Sequence, residues 1–518
     1  MRILLKIFII LLLALLSTSC REPAPQPEPD LRPFVVLLGS DVSTFDPQVP
    51  FEVETSYVLG NIFDTLVEFD SSFRLKPALA TRWTNPDDKT WHFYLNEKAR
   101  FSDGTPLKAS DVRFSIQRLK SLAHSDLQGF AEHIEQIREV DSTTVEIKTA
   151  TPLNILNNLV FIPIMNERQV QKAGDKIGEQ PFGTGPFRLA SWEKKKRIVL
   201  ESNEYYVPRT AIGRVEFLIS EDPDKLLDDV LRMKPDITMY IPYRKIEEFE
   251  RRKPPELSLA SSGGITVEYL VFNTRPKNPD FKEANPLADL RFRQALAYGT
   301  DRTEIVQSIL KGFGRPATQL ISPEIFGFDP SIASIPFDAS KAKQLIAEGR
   351  HQNTELPIYT LEGGSYRLEN LLIDQWKKIG VNGKLRLWKD IRDMNAALNA
   401  GTFSVAIQGY SCTSGDASEL LTFSLHTRDD SHGYGKGNYA GYSNTEVDHI
   451  SEENLHLLNP RLRLEMLQKS MRIVVQDLPY LPLTISPDIY VVSNRIRWTP
   501  PVTGELKLRN IHLRNSKR

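Results

Sequence analysis

The sequence predicts a mixed α/β protein of more than one domain, and three observations predict it. At 518 residues the chain exceeds one ordinary core, so two or three domains are expected. From Pro33 onward, short strand-like runs alternate with helix-like runs, and no short repeat recurs. Charge is balanced, 65 Lys and Arg against 66 Asp and Glu, so no basic excess points to nucleic acid. The densest basic cluster, residues 194–197, reads as a solvated hairpin turn between strands at 187–192 and 198–201.

The N-terminus reads as a targeting segment. Arg2 and Lys6 precede an unbroken apolar run at 7–16 and supply positive charge. Ten residues are too few to span a bilayer, which takes about 20. They fit the apolar core of a secretory signal. No later stretch is apolar for long enough to be a span. Cys20 ends the run Leu16-Ser-Thr-Ser-Cys, and a Pro-rich segment at 21–33 follows, expected to be a semi-extended spacer. This ending resembles a bacterial lipoprotein signal, with one departure: Ser17 stands where Leu is usual, and Leu16 lies one place further back. The resemblance implies a signal peptide at 1–20 and lipidation of Cys20. Cleavage nearby without lipidation is the alternative, and a Cys20–Cys412 disulfide is disfavoured by the intervening linker.

Each following element has a local reason. Residues 34–38 form a short apolar strand, and SDVSTFDPQ (40–48) a turn. Residues 57–69 carry apolar side chains at helical spacing and include IFDTLVEFD (62–70). KTWHFYLNEKARFSDGTP (89–106) alternates like a strand up to the turn within FSDGTPLKASDVRFSIQR (101–118). There a Gly-Thr-Pro turn breaks the chain, and Ser110 or Asp111 can cap a helix that buries Val112, Ser115, Ile116 and Leu119. Residues 120–149 read as helix then strand. In FGTGPFRL (182–189), Gly183 and Gly185 permit a tight turn and Pro186 fixes its exit. Without a strand–loop–helix frame, this GxG is structural rather than a phosphate loop.

A strand ends at Asn273. Apolar residues at 292, 295, 296 and at 305, 306, 309, 310 give two helices joined at Gly299–Thr300, the second capped by Thr300 or Asp301. Residues 372–388 read helix, Gly stop, strand.

Taken in order, these segments resemble the family 5 extracellular solute-binding proteins. Residues 101–118 and 289–317 carry the strongest likeness. LKPALATRW (75–83), FGTGPFRL, GYSNTEVDHI (441–450) and DLPYLPL (477–483) add to it, so the likeness runs from about 34 to 498. The resemblance implies a two-lobed periplasmic-binding-protein-like fold, type II, in the large form with an extra subdomain in lobe I. It places lobe I at 34–270 with the subdomain near 76–180, lobe II at 271–484, and a return to lobe I at 485–518. Asn273 would lie near the first crossover and Pro482 to Pro487 near the second.

It also implies function. The chain would be the binding component of an ABC importer, delivering a peptide-like solute to permease and ATPase subunits. It would be a monomer in the periplasmic space, held to a bacterial membrane only by its lipid anchor. An oligosaccharide, a metal chelate or a sensory role on the same scaffold are the alternatives. No GxSxG, HExxH or Walker A motif is present, so an enzyme is not expected, nor is a cofactor. Ser308 and Lys311 match SxxK without the partner motifs. His426, His432, His449 and His456 lack metal-ligand spacing.

The resemblance extends to the site. GYSCTSGDASELL (409–421) is similar to a cleft-lining loop of lobe II. Tyr410 takes its aromatic position, Thr413 falls where peptide receptors carry the Asp that pairs with the ligand amine, and Asp416 takes the second Asp. A slip of the alignment would instead make Asp416 the amine anchor. Ile407 occupies a position where a basic side chain can stand. On lobe I, residues 51–55 would form an edge pairing with an extended ligand through the main chain, with Glu52, Val53 and Glu54 in reach. Tyr269, Tyr434 and Tyr439 are candidate aromatic walls.

Overall fold

Phe34–Leu38, the first strand, is apolar throughout because both of its faces are covered. Phe34, Val36 and Leu38 point into one core and Leu37 into another. It is the centre of a seven-stranded sheet, ordered Leu257–Ser261, Ile489–Ser493, Ile237–Thr238, Phe34–Leu38, Arg214–Ile219, Arg197–Ser202, Phe187–Glu193. Its two neighbours run parallel to it, and the remaining pairs are antiparallel. The computed structural model describes residues 32–49 and 52–514. The expected signal peptide, Cys20 and nearly all of the 21–33 linker lie outside the described residues. Among the described residues no helix is long and apolar enough to cross a membrane.

A second sheet of six strands runs Arg315–Pro316, Tyr480–Ser486, Thr266–Phe272, Val405–Ser411, Glu355–Leu361, Asn382–Trp388. It too is covered on both faces, by separate apolar cores. A third sheet, of four antiparallel strands, spans Ala80–Asp87 to Thr144–Thr149. The helix Ala109–Ser121 lies on this sheet and buries Val112, Ser115, Ile116 and Leu119, the face expected from the sequence. Of the two expected caps it is Asp111 that acts, from within the first turn, accepting the Lys108 amide at 2.9 Å. The same helix carries Arg118, whose guanidinium binds Asp46 at 2.6 Å and Gln48 at 2.8 Å. That contact pins the 40–48 turn and with it Pro47.

Two antiparallel strand pairs carry the chain between the large sheets. Leu257–Ser261 pairs with Ile489–Ser493 in the first, and Thr266–Phe272 with Tyr480–Ser486 in the second. The connecting residues are 262–265 and 487–488. They are tied together, with Ser262 N donating to Asp488 O at 3.1 Å and Asp488 N to Ser262 Oγ at 3.0 Å. The second crossover falls at Pro487, within the expected stretch. The first falls before Thr266, earlier than residue 270. Asn273 is therefore at the far end of its strand, fully buried, donating to the carbonyls of Gly401 and Phe403 at 2.7 and 2.8 Å. Its polarity marked a strand end, not a hinge.

Two other expectations shift. The helix foreseen at 57–69 is Val53–Leu59, and IFDTLVEFD becomes a turn and the strand Val67–Phe69. Asn61 explains the stop: its side chain donates to Leu506 O at 2.7 Å and accepts from Leu508 N at 2.9 Å, so the C-terminal segment occupies the place of a further turn. The glycines of FGTGP serve close approach rather than a positive φ. A Cβ on Gly183 would stand 1.9 Å from the Ile62 carbonyl oxygen, and Gly185 N donates to that oxygen at 2.8 Å.

The pair of helices after Asn273 is as expected. Leu290–Tyr298 is capped by Asp289 and Arg302–Ser308 by Asp301, while the Thr300 hydroxyl turns back to Leu296 O. Lys311, the last residue of the SxxK match, pairs with Glu247 on the other large unit.

Candidate functional site

Between the sheets, beside the crossovers, lies a cavity of ≈ 410 Å³. Pockets of this size hold small solutes. One side is built by the helix Val53–Leu59, the turn that follows it, and the C-terminal segment 502–507. The other is built by Ile265, Thr266, Ser411 and Thr413. Phe63, Phe69, Phe73 and Phe161 give it an apolar lining. The two halves also touch around it: Asn157 Nδ2 donates to Ser414 O at 2.9 Å, and His456 Nδ1 donates to Pro152 O at 2.9 Å.

Three of the expected site residues line this cavity: Glu52, Val53 and Thr413. The main-chain edge expected at 51–55 is different. Val53 begins a helix, because Thr55, Tyr57, Val58 and Leu59 bury one helical face, and its amides turn along the helix axis. Glu52 precedes the helix and accepts the Thr55 hydroxyl at 2.8 Å. Glu54 is half-buried near Gly39, away from the cavity wall.

The expected aromatic walls are elsewhere. Tyr269 is core, packed edge-on against Tyr480 at 5.5 Å. Tyr410 donates its hydroxyl to Glu419 Oε1 at 2.6 Å and stacks on Phe423. Burial, with the Glu419 charge next, pushes that hydroxyl well above its usual range. Tyr434 sits in the 431–442 loop beside His426, at 4.7 Å. Tyr439 is partly buried against the lobe II core. Ile407 faces the core on the far side of its sheet.

Asp416 is occupied. Arg463 Nη2 holds its Oδ2 at 2.8 Å, and both side chains are buried. Its Oδ1 accepts the Ser418 amide at 3.0 Å. An inward carboxylate with a guanidinium partner cannot also serve as an open amine anchor. Among the described residues no group of three or more His, Cys, Asp or Glu is arranged to hold a metal ion. The histidines have local partners: His426 and His449 meet Glu452 and Glu453, and His432 meets Asp429.

Sequence reasoning missed the charged wall. Asp64 and Glu68 line the cavity and both bind Arg509, Asp64 at 3.0 Å. Burial alone would raise the Glu68 carboxyl, but Arg509, with Lys507 and Lys76, holds it below its usual range. Asp488 lines the hinge end of the cavity and, among the described residues, has no cationic partner. IFDTLVEFD displayed the two acids, yet nothing in it pointed 441 residues ahead to Arg509.

The family profile described as "Bacterial extracellular solute-binding proteins, family 5 Middle" matches residues 74–432, and the chain belongs to this family. Among its relatives, heme-binding protein A of Haemophilus influenzae is 28% identical over 505 residues, covering 90% of this chain and 89% of that one. The glutathione-binding protein GsiB of Escherichia coli K12 is 24% identical over 498 residues, with 91% and 92% covered. The dipeptide-binding protein of the same strain is 25% identical over 436 residues, with 76% and 79% covered. Among solved structures, HbpA2 from Haemophilus parasuis superposes with a TM-score of 0.81 at 21% identity, covering 93% of this chain and all of that one. The fold is thus the two-lobed periplasmic-binding-protein fold of family 5.

Proposed function

We propose that the protein captures a peptide-like solute outside the cytoplasm and delivers it to the permease and ATPase of an ABC importer. The observation that carries this reading is the cavity itself, walled on one side by the helix Val53–Leu59 and the segment 502–507, on the other by Thr266 and Ser411 of the six-stranded sheet, and placed beside the two segments that join the large sheets. A solute that touches both walls stabilises the closed arrangement over the open one, and binding becomes closure. No bond is made or broken. The names of two relatives, a glutathione-binding and a dipeptide-binding protein, favour a peptide-class solute. Two lobes are proposed, the expected 34–270 and 271–484 with a return at 485–518 being adjusted so that the joints are 262–265 and 487–488 and Thr266 falls in the second lobe. Export follows the segment at 1–20, and lipidated Cys20 holds a monomer at the membrane.

The test is solution scattering and thermal melting of the exported protein with a dipeptide pool. Ligand is expected to reduce the radius of gyration. It should also add about 2.7 kcal/mol of stability at a hundredfold excess over Kd. An unchanged radius and melting temperature with every pool would refute capture by closure. For the anchor, Cys20→Ala is expected to move the protein from the membrane fraction to the soluble extracytoplasmic fraction. A wild type already soluble after export would remove it.

A further inference from the structure

We propose that the hinge end of the cavity is a subsite for a positively charged nitrogen of the solute, with the Asp488 carboxylate as its counter-ion and Tyr57 as its aromatic wall. This deepens the capture reading and rests on it. Asp488 occupies the second crossover, and both of its backbone polar groups are taken by Ser262 of the first. Its position is therefore held by the two segments that join the lobes. The side chain is open to the cavity, whose wall includes both it and Tyr57.

What separates Asp488 from the other cavity acids is its surroundings. Asp64 and Glu68 share Arg509, Glu505 lies 3.8 Å from Lys507, and Glu52, just before the helix that carries Tyr57, is engaged by the Thr55 hydroxyl at 2.8 Å. Among the described residues no Lys, Arg or His pairs with Asp488. Its neighbours are tyrosines instead. Tyr57, Tyr240, Tyr243 and Tyr490 are pushed up by burial, and each also senses the Asp488 charge. The Tyr243 hydroxyl is committed to the Pro487 carbonyl. The Tyr490 hydroxyl is buried and interacts with Asp488 without forming a full hydrogen bond.

The result is a carboxylate open to the cavity beside an aromatic cluster, and partial desolvation by that surround raises it above the usual carboxylate range. An ammonium entering there gains a charge-assisted bond and a cation–π contact. A neutral or anionic group would leave the carboxylate desolvated and unpaired. The corner therefore selects for a cation.

The test uses an arginine-free dipeptide pool before and after complete N-acetylation, titrated against the exported wild-type protein, Asp488→Asn and Asp488→Glu. Wild type is expected to prefer the free-amine pool by at least about tenfold. Asp488→Asn should bring the two pools within about twofold, and Asp488→Glu, which keeps the charge, should retain most of the preference. Equal binding of both pools by wild type overturns the proposal while leaving capture intact. A preference that survives in Asp488→Asn overturns it equally, because acetylation then acts through bulk. Neither pool binding, with no change in melting temperature, would remove the peptide reading and this subsite together.

Discussion

The two walls of the cavity solve the problem of polar groups in opposite ways. On the lobe I side, Glu52, Asp64, Glu68, Asp488 and Glu505 line the cavity, and Arg509 and Lys507 balance part of that charge. On the lobe II side the wall is neutral: Thr266, Ser411 and Thr413, with the Thr266 and Ser411 hydroxyls 2.7 Å apart. Lobe II is not short of carboxylates in this loop. Asp416 turns inward to Arg463. Glu419 turns inward to the Tyr410 hydroxyl and the Ser414 amide, at 2.6 and 3.0 Å. One wall displays its charge to the cavity while the other uses charge to hold its own loop in shape. Type and spacing of acids thus say little about recognition until the direction of each side chain is known.

The largest effect should come from breaking the inward pair. Arg463→Ala leaves Asp416 buried without a counter-ion and should cost about 3–5 kcal/mol in denaturant unfolding. An unchanged midpoint would mean that Asp416 is solvated and free to meet a solute. On the opposite wall, Arg509→Met should cost about 3 kcal/mol, since Lys507 and Lys76 still serve Glu68. This penalty has a pH signature. The Glu68 carboxyl is depressed in the folded state, so its stabilisation is present above the unfolded pKa, about 4.3, and is lost as pH falls through the folded value. The difference between wild type and Arg509→Met should therefore shrink on acidification below about pH 4. A difference that stays constant would assign the loss to packing.

A smaller effect sharpens the contrast between the walls. Thr413→Asp gives the neutral wall a carboxylate of its own and should tighten binding of free-amine dipeptides by about tenfold in calorimetric titration. Weakened binding would show that the solute needs that wall uncharged. The smallest effect concerns Asp488 in the ligand-free protein. Its folded carboxyl is raised, so its contribution is present below the unfolded pKa and lost as pH rises through the folded value. Asp488→Asn should therefore melt slightly higher than wild type at neutral pH, and the gap should close as pH falls into the carboxylate range. A lower melting temperature at pH 7 would make Asp488 a structural residue.

Much of the fold was legible because its causes are local. The face of Ala109–Ser121 follows from the spacing of four side chains, and the cap at Asp301 from an acid placed before an apolar run. The helix Val53–Leu59 was less so. Its end is set by Asn61 reaching Leu506, a contact 445 residues away. The roles of Gly183 and Gly185 were legible only in part, since small residues signal close approach without naming the partner, Ile62.

The site divides along the same line. Sequence determined the class of protein and the loop at 409–421, and it brought Glu52, Val53 and Thr413 to notice, because ordered motifs survive in the chain as neighbours. Only the tertiary structure decided that Tyr269 is core and that Asp416 belongs to Arg463. It alone set Arg509 between Asp64 and Glu68, and left Asp488, among the described residues, without a counter-ion in the cavity wall. The reason is physical. A helix cap or an apolar face is an interaction among residues a few places apart. Whether a carboxylate is spent on a partner or left for a solute depends on groups hundreds of residues away, and on which side of a sheet each one falls.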